Sequence, residues 1–446
     1  MKKYVEENKE NMLKDLSILV EVPSVYSDDV KPFGSANREV LDRALKLMDD
    51  KGFKTRNLDY YCGYGEVGEG EQVIGILAHL DVVPAGDGWD SDPFVMTRKG
   101  NIVYGRGVTD NKSAAVSCMY ALKYLKDTGY PFKKRVRLIL GCNEESGSAC
   151  IRHYVQEEGH IDMGFTPDGD FPGVYGEKGM KGGTIIGHDS KIIDIKGGDV
   201  SNAVAKNVYC VVENNSFDKD VLIAFLTENG LQVTIEEKEN TKITVVGKSA
   251  HASTPEKGVN AISYLMVGLS KAGYEDSFVS FYNRFIGLEV HGETLGFESI
   301  KDDLTDTTLN IGLIWKQDGD IVATVDMRFP VKATVAQVDA LLTVLHDEKN
   351  EFIGKPGVEP LYFDADSPFV QAMYRAYQDV TGDKEAKLEV MGGGTYAKTI
   401  HNCIAFGNGF HTGSSRIHDA NENLRIDLFL LETMIYIEAI KNLNEV

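Results

Sequence analysis

The chain has 446 residues, of which 42% are hydrophobic, and a formal net charge of -21. A chain of this length is too long to fold around one hydrophobic core of ordinary size, so we expect two domains. One of them can be inserted into the sequence of the other. The strongly acidic balance argues against nucleic acid or an anionic membrane surface as a partner, because both attract basic patches.

The N-terminal residues do not resemble a secretory signal, since they lack an apolar central segment. No apolar run approaches the roughly 18 residues that a membrane-spanning helix needs. The six cysteines are scattered without a CxxC pair, which favours free thiols over the alternative of disulfides. We therefore expect a cytoplasmic protein without a membrane partner, monomeric or, as the alternative, homodimeric.

The first third of the chain alternates helix and strand patterns. Apolar periodicity predicts helices over residues 10–20 and 38–52, and short apolar runs predict buried strands over 73–78 and 135–140. An amphipathic helix is predicted between these strands, over residues 113–126. Strand, helix and strand in this order are typical of an α/β layer whose functional loops follow the strand ends.

From about Gly179 short β-rich segments replace this pattern, and the α/β pattern returns after Asp366 with two helices, over 367–382 and 427–443. We predict an α/β catalytic domain, with a mixed sheet flanked by helices, in two parts (1–178 and 365–446). An α+β lid domain (179–364) is inserted between them. Its predicted strands are Lys191–Ile195, Asn207–Val212, Lys242–Val246 and Ile321–Arg328, and its predicted helices are 217–229 and 335–349.

Polar side chains at the strand ends are candidates for chemistry. His79 follows the first strand, and Asp81 is two residues away, where an acid can orient a metal-binding histidine. Asp110 lies in a glycine turn before a helix, where a helix cap is the alternative interpretation. A P-loop is excluded because Asn111 precedes Lys112, and a dinucleotide fingerprint is excluded because its third glycine is missing.

Glu144 and Glu145 follow the second strand, and two adjacent carboxylates repel each other unless a cation lies between them. A solvated loop is the alternative. Asp168 in a Pro-Asp-Gly turn and His418 before the last helix add further donors. Taken alone, His418 is more simply interpreted as a surface histidine.

Seven motifs occur in this order: HLD, GRGxxDxK, NEE, PDG, GKSAHAS, GGGTYAK and HxANE. The set resembles the co-catalytic zinc metallopeptidase family that includes aminoacylases, desuccinylases and carnosinases. The GGGTYAK loop and the large insert are most similar to its PepV-type dipeptidase branch. The resemblance covers nearly the whole chain and implies two bound divalent metal ions, with Zn²⁺ expected and Mn²⁺ or Co²⁺ as alternatives.

The resemblance implies a role for each matching residue. His79 and Asp168 would bind one metal, Glu145 and His418 the other, and Asp110 would bridge both. Glu144 would be the general base for a metal-bridging hydroxide, and Asp81 would orient His79. A cis peptide bond is expected between Asp110 and Asn111.

In the lid domain the resemblance implies that His251 stabilises the oxyanion and that Arg328 binds the free C-terminal carboxylate of the substrate. Asn202 and the loop residues Gly393, Gly394 and Thr395 are further candidates for substrate binding. Two positions depart from the branch pattern. Ser113 stands where the branch usually has Gly, and the Asn202 segment lacks the proline of Asn-x-Val-Pro.

The function expected from this pattern is metal-dependent hydrolysis of the amide bond of dipeptides. A deacylase or desuccinylase of the same family is the alternative, because the metal site is shared and only the substrate pocket differs. A peptide- or metal-binding protein on the same scaffold would require loss of a ligand or of the base, and all these positions are filled.

Overall fold

The computed structural model describes residues 1–410 and 415–446. These residues form two compact units. Unit 1 comprises Met1–Gly176, Phe363–Glu389 and Gly394–Val446, and unit 2 comprises Glu177–Tyr362 and Val390–Gly393. Unit 2 is thus inserted into the sequence of unit 1.

Helices and strands follow one another along the chain in three groups. Those before the insertion are α1 Lys2–Val20, α2 Ser35–Asp50, β1 Lys54–Leu58, β2 Cys62–Val67, β3 Val73–His79, β4 Thr97–Lys99, β5 Ile102–Tyr104, α3 Lys112–Asp127, β6 Arg135–Gly141, α4 Ala149–Glu158, β7 Met163–Thr166, β8 Gly169–Asp170 and β9 Val174–Glu177. The inserted elements are β10 Gly179–Gly187, β11 Asp194–Gly197, β12 Asn207–Val212, α5 Lys219–Glu228, β13 Gln232–Glu237, β14 Thr241–Val246, α6 Ala261–Lys271, α7 Ser277–Phe285, β15 Thr308–Gln317, β16 Asp320–Phe329, α8 Val335–Leu342, β17 Asn350–Gly354 and β18 Leu361–Tyr362. The last elements are α9 Pro368–Thr381, β19 Glu389–Met391, β20 Cys403–Ala405, β21 Asn408–Gly409, β22 Asn423–Arg425 and α10 Ile426–Glu445.

Unit 1 is built on a mixed sheet with the strand order β1-β2-β6-β3-β7-β20-β9. The four central strands β6, β3, β7 and β20 run parallel, and antiparallel strands flank them. Every residue of β3 is buried, as expected for a strand covered on both faces. Helices α3 and α10 pack against β3, and α2 and α4 pack against β2. The predicted α/β class with a mixed sheet is therefore confirmed.

Unit 2 contains an antiparallel sheet in the order β13-β14-β12-β11-β15-β16-β10-β17. Residues on its strands alternate between buried and more exposed positions, for example over all nine residues of β10. Such alternation indicates one face packed on a core and one facing solvent. The buried face and the helices α5–α8 share one hydrophobic core, and this unit is α+β as predicted.

Several predicted elements have different bounds in the structure. Helix α8 ends at Leu342 rather than at residue 349, and part of the segment predicted as helix is a turn in which Asp347 accepts hydrogen bonds from the backbone of Lys349 and Asn350. Helix α1 begins at Lys2 rather than at residue 10, since Val5 is buried and extends its apolar face. Strand β11 begins at Asp194 rather than at Lys191, and helices α6 and α7 were not predicted.

The six cysteines are free and buried, as expected. Among the described residues, none of the helices combines the length and the apolar character required to cross a membrane.

Candidate metal centre

Three parallel strands bring their carboxyl ends to one edge of the unit 1 sheet. In the β3–β6 pair His79 lies opposite Gly141, and β3 also pairs in parallel with β7, which ends at Thr166. Side chains that follow parallel strands meet at the carboxyl edge of a sheet. The register therefore explains why His79, the glutamate pair after Gly141 and the turn after Thr166 come together.

Both nitrogens of the buried His79 ring have oxygen neighbours. Nδ1 lies 2.9 Å from the backbone carbonyl oxygen of Asp81, and Nε2 lies 2.9 Å from Oδ1 of Asp110. The Asp81 carboxylate is farther from Nδ1, at 3.6 Å. Asp81 thus orients the ring mainly through its backbone, and Nε2 points at the neighbouring carboxylates, as in a metal-binding histidine.

The Asp81 carboxylate holds the backbone of the glutamate pair. Its Oδ1 accepts a hydrogen bond from the N–H of Glu144 at 3.0 Å, and its Oδ2 accepts one from the N–H of Glu145 at 3.1 Å. This contact was not predicted, since nothing in the local sequence relates residue 81 to residues 144 and 145. It positions both glutamates relative to the strand that carries His79.

Asp110 lies between two histidines. Its Oδ1 faces Nε2 of His79 at 2.9 Å, and its Oδ2 lies 3.0 Å from Nε2 of His418. The same His418 nitrogen is 3.2 Å from Oε1 of Glu145. The two Asp110 oxygens are therefore directed to different histidines, which is the arrangement that a bridging carboxylate needs. The peptide bond between Asp110 and Asn111 is cis, as expected.

These contacts shift the pKa values of the groups in opposite directions. Burial raises the pKa of Asp110, but hydrogen bonds from His418 and His79 outweigh it, so the pKa lies below its usual range. Hydrogen bonds to Asp110 and Glu145 raise the pKa of His418 to about 10. The carboxylates of Asp110 and Glu145 therefore favour the protonated form of the His418 imidazole.

Glu144 lies close to several other acidic side chains. Burial, and then repulsion from Asp168, raises its pKa well above the usual range. Burial also raises the pKa of Glu145, although the hydrogen bond from His418 opposes this shift. Carboxyl groups held so close together favour either a bound proton or a bound cation.

Asn111 connects two of the converging segments. Its side-chain oxygen accepts a hydrogen bond from the backbone N–H of His79 at 3.3 Å, and its amide donates to the carbonyl of Pro167 at 2.6 Å. The turn that carries Asp168 is thereby held beside His79, and Oδ2 of Asp168 lies 4.0 Å from Nε2 of that residue.

Two overlapping groups of side chains could hold metal ions. One is His79, Glu144 and Asp168, and the other is His79, Asp110 and Glu145, each with ligand atoms within 4.8 Å of one another. Imidazole nitrogen combined with carboxylate oxygens suits Zn²⁺ and also accommodates Mn²⁺ or Co²⁺. The donor set therefore fits a pair of divalent cations. The structure groups Glu144 with two expected ligands, and His418 contacts the second group.

Glu422 stands in the HxANE motif, but no role was predicted for it. It is fully buried, and its carboxylate accepts hydrogen bonds from the backbone N–H groups of Gly107 at 2.9 Å, Thr109 at 2.9 Å and Asp110 at 3.0 Å. The guanidinium of Arg106 donates a fourth at 2.9 Å. An acidic residue four positions after His418 was the only sequence signal for this contact.

Comparison with known proteins identifies the family. The chain matches Peptidase family M20/M25/M40 over residues 75–442. It belongs to this family. A protein of Staphylococcus haemolyticus named "Putative dipeptidase" is 32% identical over 470 residues, covering 99% of both chains. The predicted resemblance is confirmed, and so is the predicted enzyme class at the level of a hydrolase acting on peptide bonds.

Two solved structures share the fold of this M20 peptidase over nearly their whole length. Human carnosine dipeptidase 1 matches with a TM-score of 0.61 at 15% identity, over 100% of this chain and 98% of that one. The di-peptidase Dug1p from Saccharomyces cerevisiae matches with a TM-score of 0.58 at 16% identity, again over 100% and 98%. At such low identity they show the fold alone.

In unit 2 of the M20 peptidase, Asn202 and His251 lie on neighbouring backbone segments. Ala203 pairs with His251 in an antiparallel bridge, and the N–H of Ala252 donates to the carbonyl of Asn202 at 2.9 Å. The His251 side chain is exposed, and its Nδ1 lies 2.6 Å from Oγ of Ser253.

Arg328 is buried on β16, and its guanidinium is already engaged. Its Nε and Nη2 donate to the two carboxylate oxygens of Asp326 at 2.8 and 2.9 Å. Its Nη1 contacts the sulfur of Met180. An arginine has five N–H donors, so further donors remain for another acceptor.

The glycine-rich loop contributes residues to both units. Gly393 belongs to unit 2, whereas Gly394 and Thr395 belong to unit 1. Within unit 2, a Cβ on Gly392 would lie 2.6 Å from the Cβ of Ser253, so only glycine allows this approach. Within unit 1, Thr395 caps a short 3-10 helix by accepting a hydrogen bond from the N–H of Ala397 at 3.2 Å.

Proposed function

We propose that this M20 peptidase is a metal-dependent dipeptidase that uses two divalent metal ions. The observation that carries the proposal is the position of Asp110, whose two carboxylate oxygens face Nε2 of His79 and Nε2 of His418 at 2.9 and 3.0 Å. Asp168 and Glu145 would complete the ligand set, one beside each histidine. Zn²⁺ is the proposed metal, since two imidazoles combine with carboxylates.

Bound ions would polarise the scissile carbonyl and lower the pKa of a water molecule towards neutrality. Glu144 is the proposed general base, and burial together with repulsion from Asp168 raises the pKa of its carboxyl, so that its ionised form accepts a proton more readily. It would take a proton from the attacking water and then give it to the leaving amine. The Asp81 carboxylate fixes the backbone of this base through a hydrogen bond of 3.0 Å.

Dipeptides are the proposed substrates because the relatives that match this chain over nearly their whole length are named as dipeptidases. In this proposal Arg328 binds the C-terminal carboxylate with the N–H groups that Asp326 leaves unused. His251 would stabilise the oxyanion, and Asn202 and residues 393–395 would contact the substrate.

The test is a substrate panel measured with metal-free protein reconstituted with Zn²⁺, Mn²⁺ or Co²⁺. Free dipeptides, tripeptides, dipeptide amides and N-acyl amino acids would be compared by kcat/KM. The proposal expects free dipeptides to be preferred, with the amides about 10- to 100-fold poorer because one charged hydrogen-bonded contact is lost. If N-acyl amino acids are the best substrates, the deacylase alternative replaces it.

The carboxylate anchor has its own test in the Arg328→Ala variant. In this variant kcat/KM for the free dipeptide should fall by the same factor of about 10 to 100. For the dipeptide amide kcat/KM should hardly change, because the amide never makes the charged contact. Equal losses on both substrates would show that Arg328 supports the fold through Asp326 and does not bind the substrate.

A further inference from the structure

We propose that the buried Arg106–Glu422 ion pair is a positioning device that fixes the bridging residue Asp110 relative to His418. This inference rests on the proposed metal centre, but it concerns residues that contact no substrate. Both side chains are almost completely buried, with 1% of Arg106 and none of Glu422 exposed. A buried ion pair is costly unless hydrogen bonds satisfy the remaining polar atoms, so its surroundings indicate what it does.

Both oxygens of Glu422 are used by the loop that carries Asp110. Oε1 accepts from the N–H groups of Thr109 and Asp110, and Oε2 accepts from the N–H of Gly107 and from Nη1 of Arg106. Backbone N–H groups that converge on one point form a site for an anion. The Glu422 carboxylate is that anion, and one of its donors is the N–H of the bridging residue itself.

The pair also connects a second loop to the same point. Nη2 of Arg106 donates to the carbonyls of Pro84 and Ala85 at 3.4 and 3.2 Å, and the guanidinium lies 5.3 Å from the centre of the Trp89 ring. Next to Glu422, Oδ1 of Asn421 accepts from the N–H of Asp90 at 3.0 Å.

The connected segments therefore lie in or next to three different motifs. Residues 84–90 follow the motif of His79 and Asp81, residues 106–110 carry the bridging Asp110, and residues 421–422 follow His418. Because Glu422 is four residues after His418 and binds the backbone of Asp110, it couples two side chains that would share a metal ion.

The consequence is a dependence of metal affinity on a residue outside the ligand set. Loss of a hydrogen-bond partner behind a metal ligand commonly weakens metal binding by about 10- to 100-fold. In Glu422→Gln an NH2 group replaces one carboxylate oxygen and cannot accept a hydrogen bond. Either the donors on the Asp110 side or those on the Arg106 side therefore lose their acceptor. Glu422→Asp keeps the charge but shortens the reach by one methylene.

The experiment measures the dissociation constants of Zn²⁺ for the metal-free full-length protein by calorimetric titration, and the melting temperature of the same samples. Glu158→Gln is the matched control. Glu158 accepts from the buried Arg137 at 2.7 Å near the start of β6, at the opposite end of the strand from the metal centre. This variant removes the charge of one carboxylate partner of the buried Arg137 without touching the Asp110 loop.

We expect Glu422→Gln to weaken Zn²⁺ binding by about 10- to 100-fold and Glu422→Asp to recover part of that loss. We expect Glu158→Gln to lower the melting temperature while leaving both dissociation constants within about twofold of the wild type. If Glu422→Gln melts lower but binds Zn²⁺ as the wild type does, the pair only stabilises the fold and the inference is overturned.

Should Glu422→Gln fail to fold, Glu422→Asp decides by the same criterion. A wild-type protein that binds no Zn²⁺ would instead overturn the proposed metal centre, so the two failures can be told apart.

Discussion

The contact between Asp81 and the glutamate pair makes a prediction that depends on the structure. Asp81→Asn has almost the same shape as the wild-type residue but only one acceptor oxygen, so it can serve Glu144 or Glu145 and not both. A hydrogen bond to a charged group contributes about 1.5–3 kcal/mol. At about 1.36 kcal/mol per tenfold change in rate, the loss corresponds to roughly a 10- to 150-fold lower kcat.

The loss should appear in kcat because Asp81 holds the base and not the substrate. The backbone carbonyl of Asp81 still contacts Nδ1 of His79 in the variant, so two metal equivalents should remain bound at excess Zn²⁺. The assay is steady-state hydrolysis of a free dipeptide together with metal analysis of the purified variant. Asp276→Asn is a matched control in unit 2, where a buried carboxylate also accepts two backbone N–H groups, from Lys191 and Val279. A kcat for Asp81→Asn within about threefold of the wild type, or an equal fall in the control, would refute the positioning role.

Three further predictions address the base, the bridge and a buried acid. Glu144→Ala should retain both metal ions and lose about 10²–10⁴-fold in kcat, the usual contribution of a general base, and wild-type turnover would remove Glu144 from the mechanism. Asp110→Asn should weaken both metal equivalents in a calorimetric titration, because its two oxygens face different histidines, and weakening of only one would contradict a bridge. Glu432 is buried in α10, where burial raises its pKa to about 8. Since the unfolded chain releases this proton near pH ~4.3 and the folded chain keeps it, stability falls by up to about 1.4 kcal/mol per pH unit between these values. Urea unfolding of metal-free protein at pH 5.5 and 7.5 should show this loss in the wild type and less of it in Glu432→Gln, and equal losses would refute the assignment.

Local apolar patterns made parts of unit 1 predictable. The strands predicted over 73–78 and 135–140 are β3 Val73–His79 and β6 Arg135–Gly141, and the helix predicted between them is α3 Lys112–Asp127. Their burial is set by local composition, which a sequence displays directly. The antiparallel strands β1 and β2 were not predicted, because β1 is mostly polar and β2 contains two glycines. They form strands because they pair with neighbouring strands and not because of their composition.

The side chains of the candidate centre were foreseen better than the contacts that hold them. Motif order and strand-end position suggested His79, Asp110 and Glu144, whereas the hydrogen bonds of Asp81 and Glu422 to distant backbone N–H groups were not foreseen. A carboxylate that binds backbone leaves no pattern in the partner sequence, since every residue except proline offers the same N–H group. Such contacts can therefore be identified only from the three-dimensional structure.

The central claim is that two metal ions, held by unit 1, are required for hydrolysis of a dipeptide. The most direct measurement adds Zn²⁺ stepwise to metal-free protein and records the rate on a free dipeptide at each metal equivalent. We expect no turnover without metal and a maximal rate at two equivalents per chain. Turnover by the metal-free protein, or a rate that is already maximal at one equivalent, would contradict it.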